Sequence, residues 1–222
     1  VTETPAPPGI FISFEGGDGA GKSTQVRLLA QWFAERDFEV VVTFEPGDTA
    51  LGAELRRLVQ HGEHLDPRTE ALLFAADRAH HVSTVIRPAL ERGSVVITDR
   101  YLDSSVAYQG SGRALGAEEV ERLSLWATQG LLPGLTVLLD LDPVVGAARI
   151  TRSLDRIESA GDEFHLAVRE AFLARAEADS TGRFLVLDAT RPPEELHAEI
   201  VARAEALTGS LSRPAGPPGG PA

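Results

Sequence analysis

The sequence predicts a doubly wound α/β domain, and three observations predict it. Short apolar, β-rich runs alternate with helical patterns along the chain. The runs are continuously apolar rather than alternating, which suits strands of a parallel sheet covered on both faces. Acids stand at or just beyond four of the five run ends (Glu15, Glu45, Asp99 and Asp188), where open α/β sheets bind their ligands.

Taken in order, the first strand is I-F-I-S-F-E, Ile10–Glu15. A helix over about 21–36 follows, because S-T-Q-V-R-L-L-A-Q-W-F carries apolar residues at helical spacing. E-V-V-V-T makes a second strand, Glu39–Thr43. Helical periodicity then covers 49–60 and 67–92. Ser94–Asp99 is the third strand, and a helix near 117–129 starts on the acidic residues Glu118, Glu119 and Glu121, which its dipole favours. Leu135–Leu141 is the fourth strand, with Asp140 and Asp142 placed to cap a helix over 143–151. A helix over 159–178, the strand Phe184–Asp188 and a helix over 193–207 complete the domain. Residues 1–9 hold three of the 14 prolines and 209–222 four more, so both ends read as disordered arms around a domain of about residues 10–208. No internal repeat is visible.

Composition narrows the function. The 222 residues carry 21 basic and 33 acidic side chains, a net charge of −12, which argues against a general electrostatic grip on nucleic acid or an anionic membrane. Without cysteine there are no disulfides, zinc–thiolate sites or thiol nucleophiles. No apolar run approaches the roughly 18 residues of a membrane span, and V-T-E-T-P-A-P-P-G lacks the features of a secretion signal, so a cytoplasmic protein is expected. Of the 21 basic residues only Lys22 is a lysine, and asparagine is absent. The adjacent His80 and His81 lack partners at metal-ligand spacing and read as structural.

The lone lysine sits in G-G-D-G-A-G-K-S, Gly16 to Ser23, which fits G-x-x-x-x-G-K-[ST] between a strand and a helix. Such a loop wraps backbone N–H groups of Gly16, Gly17, Asp18, Gly19, Ala20 and Gly21 around an anion, and the helix start at Lys22, Ser23 and Thr24 adds positive potential. A compact ammonium reaches the β- and γ-phosphates, and Ser23 with Asp99 is placed to hold Mg²⁺. The expected fold is therefore a P-loop NTPase three-layer sandwich: a five-stranded parallel sheet with helices on both faces. A guanine-reading switch would need an Asn-Lys-x-Asp motif that this chain cannot make, and a protein kinase would need a catalytic-loop asparagine. A small-molecule kinase remains.

Five segments in order identify the acceptor: E-G-G-D-G-A-G-K-S-T at 15–24, F-E-P-G-D-T at 44–49, L-L-F-A-A-D-R at 72–78, D-R-Y-L-D-S-S-V-A-Y-Q-G at 99–110 and L-D-R-I-E at 154–158. Together they resemble bacterial thymidylate (dTMP) kinases, within the P-loop nucleoside-monophosphate kinases, over about residues 10–207. The resemblance implies an ATP- and Mg²⁺-dependent transferase that converts dTMP to dTDP for dTTP biosynthesis, acting as a homodimer. It implies that Phe74 stacks on thymine, that Arg78 donates to a base carbonyl, and that Ser105 and Gln109 hydrogen-bond the base. It implies that Tyr108 crowds the 2′ position of the sugar, that Arg100 clamps the acceptor phosphate and that Asp18 lies near the acceptor. Taken alone, Phe74 fits a core position and Arg78 a solvated or ion-paired side chain.

Position 19 is glycine, not the arginine that some members carry there. In that branch a mobile lid, here about 149–160, supplies the catalytic arginine. Arg152 is the first choice and Arg149 the second, while Arg156 reads as tying Asp155 and Glu158 to the lid. L-D-A-T-R-P at 187–192 matches the loop against adenine. Three features depart from the family pattern: Phe44 replaces an arginine that binds the acceptor phosphate, Asp48 replaces a glycine, and the lid is short. Arg56 on the next helix is the expected substitute for the missing arginine. The departures leave open a different pyrimidine deoxynucleoside monophosphate as acceptor, or a catalytically weak nucleotide-binding regulator.

Overall fold

Each of the five apolar runs is a strand: β1 (Ile10–Glu15), β2 (Val40–Phe44), β3 (Val95–Asp99), β4 (Leu135–Asp140) and β5 (Phe184–Asp188). The computed structural model describes residues 9–209 except 64, 152 and 154. The disorder expected of 1–8 and 210–222 lies outside the described residues. Gly9, expected in the N-terminal arm, donates its N–H to the Leu90 carbonyl at 2.9 Å and so leads directly into β1.

All strands pair in parallel in the order β2-β3-β1-β4-β5. β1 is central, with β3 on one side and β4 on the other. The chain's crossovers leave it in opposite directions, which is the arrangement that opens a ligand crevice at the strand's carboxyl end. Register sets Phe14 opposite both Asp99 and Val137, so Gly16, Arg100 and the end of β4 converge there.

The period of two along β1 explains the layers. Ile10, Ile12 and Phe14 face one core with Leu29, Phe33, Val95, Ile97, Leu135, Val137 and Ile200, contributed partly by α1 (Lys22–Ala34) and α9 (Pro193–Thr208). Phe11 points the other way, to Ile86, Leu90, Val96, Tyr101 and Leu102. On that same side α8 (Asp162–Glu177) packs Val168 and Phe172 against Leu138 and Tyr108. Each fully buried Leu, Ile or Phe contributes about 1.5–3 kcal/mol, so both faces need their helices, as the apolar strands demanded.

The remaining helices are α2 (Ala50–His61), α3 (Pro67–His81), α4 (Arg87–Glu91), α5 (Leu102–Ser105), α6 (Ala117–Thr128) and α7 (Pro143–Arg149). A π-helical turn, Val82–Ile86, joins α3 to α4, so the long helix expected over 67–92 exists with a bulge in it. Thr49 and Asp142 cap α2 and α7, each accepting a backbone N–H at 2.9 Å. α7 stops at Arg149 because Ile150 is extended, and α8 starts after Gly161, three residues later than expected.

One element differs from the sequence reading. Residues 102–112 were assigned no helix, yet α5 runs into a second π-helical turn, Val106–Gly112. Three serines, a valine, an aromatic and two glycines in that stretch are weak helix formers. Tertiary contacts hold it instead. Asp103, fully buried, is paired by Arg175 of α8 and by Arg183 just before β5, whose Nη1 and Nη2 each lie 2.8 Å from its carboxylate.

Candidate active site

β1 delivers the chain straight into the glycine loop. Gly16, Gly19 and Gly21 have φ of 131°, 76° and 92°, a region that side chains avoid. A Cβ at Gly16 would lie 2.4 Å from the Leu139 carbonyl, so the loop can pass β4 only as glycine. The residues expected to hold ATP, Gly16, Gly17, Asp18, Gly19, Ala20, Gly21, Lys22, Ser23 and Thr24, form this loop and the first turn of α1. Lys22 Nζ spans the loop, donating to the carbonyls of Gly17 at 2.8 Å and Gly16 at 3.1 Å. Burial first, and then the Arg100 charge, pull its ammonium below the usual range. Ser23 Oγ donates to Asp99 Oδ2 at 3.1 Å. A broad cleft in front of the loop is lined by Lys22, Ser23, Asp99, Arg100, Arg56 and Arg149.

Arg100 stands between that cleft and a second pocket. Its backbone is left-handed, φ 71°, and its N–H donates to the Phe14 carbonyl at 2.9 Å, which turns the side chain back across the end of β1. Nη2 donates to Asp18 Oδ1 at 2.6 Å and to the Tyr108 hydroxyl at 3.2 Å. Nη1 reaches the Gly16 carbonyl and Ser104 Oγ, both at 3.1 Å. Burial alone would raise the Asp18 carboxyl, but Arg100 and then Lys22 outweigh it and hold it below the usual carboxylate range.

The second pocket brings together Asp18, Arg56, Phe74, Arg78, Arg100, Ser105, Tyr108 and Gln109, all expected to touch the acceptor. Phe74 is half-buried, and Tyr108 packs edge-on against Phe164 and Phe172. Arg78 is buried and uses four of its five N–H donors: Nε donates to Glu45 at 2.7 Å, Nη1 to Ser124 at 3.2 Å, and Nη2 to Ser105 Oγ at 3.1 Å and the Tyr101 carbonyl at 3.2 Å. Gln109 lines the pocket while its amide donates to Glu70 at 3.0 Å. Arg56 donates to the Pro46 carbonyl at 2.7 Å, and its guanidinium lies 5.6 Å from the centre of the Phe44 ring. The residue that replaces the family arginine therefore supports the proposed substitute. Asp48 does not stand free: it accepts a hydrogen bond from Thr43 Oγ1 at 2.6 Å.

Among the lid arginines, Arg149 bridges the glycine loop and the 187–192 loop, donating to the carbonyls of Gly19 and Ala189 at 3.3 Å. Arg152 lies outside the described residues. Arg156 corrects the sequence reading. Expected to tie Asp155 and Glu158 to the lid, it pairs with Glu70 at 2.8 Å and donates to the Val59 carbonyl. Asp155 holds its own turn through the N–H groups of Ile157 and Glu158.

Sequence reasoning missed three buried side chains that shape this pocket. Glu70 gathers Gln109, Arg113 and Arg156, and so joins α3 to the segment after residue 154. Glu45 orients Arg78, and Glu15 accepts from Tyr101 N at 2.8 Å and Ser104 Oγ at 2.5 Å. For Glu15 and Glu45 the signal was present, an acid at a strand end. For Glu70 none was.

The thymidylate kinase family model matches residues 14–200. A thymidylate kinase of Clavibacter michiganensis subsp. michiganensis is 59% identical over 203 residues, covering 90% of this chain and 96% of the relative. One from Deinococcus radiodurans is 50% identical over 195 residues, covering 86% and 94%. The crystal structure of thymidylate kinase from Ehrlichia chaffeensis superposes with a TM-score of 0.73 at 31% identity, covering 88% of this chain and 98% of that one. A glycine loop, an arginine shared by two pockets and this likeness over nearly the whole domain lead to one conclusion: the chain belongs to the thymidylate kinase family, and it is a nucleoside-monophosphate kinase.

Proposed function

We propose that the chain catalyses ATP + dTMP → ADP + dTDP, with the cleft at the glycine loop as donor site and the pocket around Arg78 as acceptor site. One observation carries this reading: a single guanidinium, that of Arg100, contacts the glycine loop and Asp18 on one side and Ser104 and Tyr108 on the other. In the reaction an oxygen of the acceptor phosphate attacks the γ-phosphorus in line. The bond from the γ-phosphorus to the β–γ bridging oxygen breaks, and that oxygen leaves with its electron pair as part of ADP.

Each residue then has a role. The loop N–H groups and Lys22 hold the donor phosphates, with Lys22 giving up its two carbonyl contacts to do so. Arg100 and Arg56 hold the acceptor phosphate and align its oxygen. Phe74 stacks on the base. Arg78, Ser105 and Gln109 read it, because a donor facing a carbonyl is accepted and one facing the amino group of cytosine is not. Tyr108 and Asp18 border the sugar. Arg149 and Arg152 are the candidates for neutralising transition-state charge as the lid about 149–160 closes and excludes water. The hydroxyl of Ser23 and the carboxylate of Asp99, already in contact, form a hard oxygen donor pair that fits Mg²⁺. Bound there, the cation would neutralise charge on the β- and γ-phosphates.

The domain spans about residues 10–208 in this reading. A homodimer is supported by the exposed Leu58, Leu72 and Trp126 on the neighbouring helices α2, α3 and α6. Among the described residues no helix is long and apolar enough to cross a membrane, which accords with a cytoplasmic enzyme.

The test is ADP release with ATP and Mg²⁺, comparing dTMP, dUMP, dCMP, dGMP and dAMP, with Lys22→Ala as control. Release with dTMP that is lost in the control supports the reading. Release with another monophosphate alone moves the substrate and makes the 44–49 loop its determinant. ATP binding without turnover of any of them overturns the reading in favour of a regulator.

A further inference from the structure

The side chain of His81 has a hydrogen-bonding pattern that an ordinary core histidine does not need. It is 1% exposed at the end of α3, three residues beyond Arg78. Nδ1 lies 3.0 Å from Glu45 Oε1, and Nε2 lies 2.5 Å from Thr43 Oγ1. A carboxylate can only accept, so Nδ1 donates to Glu45. Thr43 has one hydroxyl proton, and it goes to Asp48 Oδ2 at 2.6 Å. Thr43 therefore accepts from Nε2, and both ring nitrogens of His81 are donors.

The consequence falls on Arg78. Glu45 has two oxygens: Oε2 takes the Nε proton of Arg78 at 2.7 Å, and Oε1 takes that of His81. The carboxylate is thus held from both ends and presents one fixed edge to the guanidinium. Charge-assisted bonds of this kind add both energy and geometric definition. The chain of contacts runs from Asp48 in the 44–49 loop through Thr43, His81 and Glu45 to Arg78 and Ser105 in the acceptor pocket. The charged groups around the ring include Glu45, Arg78, Asp77 and, through Thr43, Asp48.

We propose that His81 is a positioning residue for the acceptor base: donating from both ring nitrogens, it locks Glu45 and thereby fixes the guanidinium of Arg78 in the pocket. This rests on the reading of that pocket as the dTMP site. His81 touches no substrate, and its effect is carried entirely by Glu45 and Arg78. It also gives Asp48, a departure from the family pattern, a place in the acceptor site: by taking the Thr43 proton, Asp48 sets the direction of the whole chain.

Two measurements on the full chain test it. In the first, ring ¹⁵N spectra of the wild type at neutral pH, with His81 assigned by its loss in His81→Gln, report whether both nitrogens carry protons. The expected result is protons on both. A neutral-tautomer pattern overturns the proposal, and this result does not depend on the substrate. In the second, steady-state kinetics of His81→Gln and the milder Thr43→Val are compared with wild type below their melting temperatures. The expected result for His81→Gln is a rise in KM for dTMP of about tenfold, the size of one lost charge-assisted bond, with kcat and the KM for ATP within about twofold. Thr43→Val is expected to shift KM for dTMP the same way and less. A folded variant with unchanged KM for dTMP, or with kcat and both KM values altered together, overturns it. If wild type turns over no dTMP, the functional reading fails and the proposal's catalytic half with it, while the ring spectra still decide the bonding half.

Discussion

Replacing Glu15 by glutamine is expected to remove a pH dependence of stability that the wild-type chain carries. Glu15 is fully buried at the foot of the glycine loop, bonded to Tyr101 N and Ser104 Oγ. Burial first, and the charge of Asp103 second, push its carboxyl from an ordinary 4.5 up to about 8. Between these values the folded chain keeps a proton that the unfolded chain has released. The unfolded state binds fewer protons, so stability falls as pH rises, by about 1.4 kcal/mol per unit. From pH 5 to 8 the loss is about 3–4 kcal/mol, and above 8 it levels off. Glutamine has no such proton, and its carbonyl can still accept from Tyr101. Urea unfolding of both proteins at unit steps from pH 5 to 9 is the assay. The wild type is expected to lose those few kcal/mol relative to Glu15→Gln and then run parallel to it. Equal slopes across the range would refute the reasoning. The functional corollary is that a neutral carboxyl at Glu15 spares the phosphates a repelling charge beside Gly16, so the KM for ATP is expected to rise above pH 8 in wild type only.

Three further outcomes are expected. Lys22→Ala is expected to lower ADP release by about 10²–10³, the size of one lost transition-state donor, with the melting temperature within a few degrees of wild type, read by thermal unfolding. Arg56→Ala is expected to raise the KM for dTMP by about tenfold, as one charged phosphate contact is lost, without moving that for ATP. Asp103→Asn leaves Arg183 buried without its counter-charge, while Arg175 keeps Glu121 at 2.8 Å, and is expected to cost about 3 kcal/mol in denaturant unfolding. Burial alone would raise the Asp103 carboxyl, but Arg183 and then Arg175 hold it below its ordinary 3.8. Its contribution is therefore present above 3.8 and lost as pH falls through the lowered value, a loss that the asparagine variant does not show.

What was legible in the sequence was local in the chain. A strand that runs into a glycine loop and a helix needs no distant partner to be recognised, so β1, the loop and Lys22 could be read directly. Ser23 and Asp99 could be paired because each is tied to the end of a strand, and parallel strands bring their ends together. Phe74 and Arg78 could be set on one helix face by spacing alone. The π-helical stretch at 106–112 could not be read, because its own residues favour no helix and the ion pairs of Asp103 hold it from 70 to 80 residues away.

The sequence by itself determined the layered sheet, the phosphate loop and the positions from which cations reach it, because hydrophobic period and glycine geometry act between near neighbours. Tertiary structure alone decided which carboxylate each arginine meets. It turned Arg156 to Glu70 instead of its neighbours, seated Arg56 on Phe44, and placed His81 between Thr43 and Glu45. Buried charges and hydrogen bonds are settled by distances of about 3 Å, and which residues come within that distance depends on how separate elements pack.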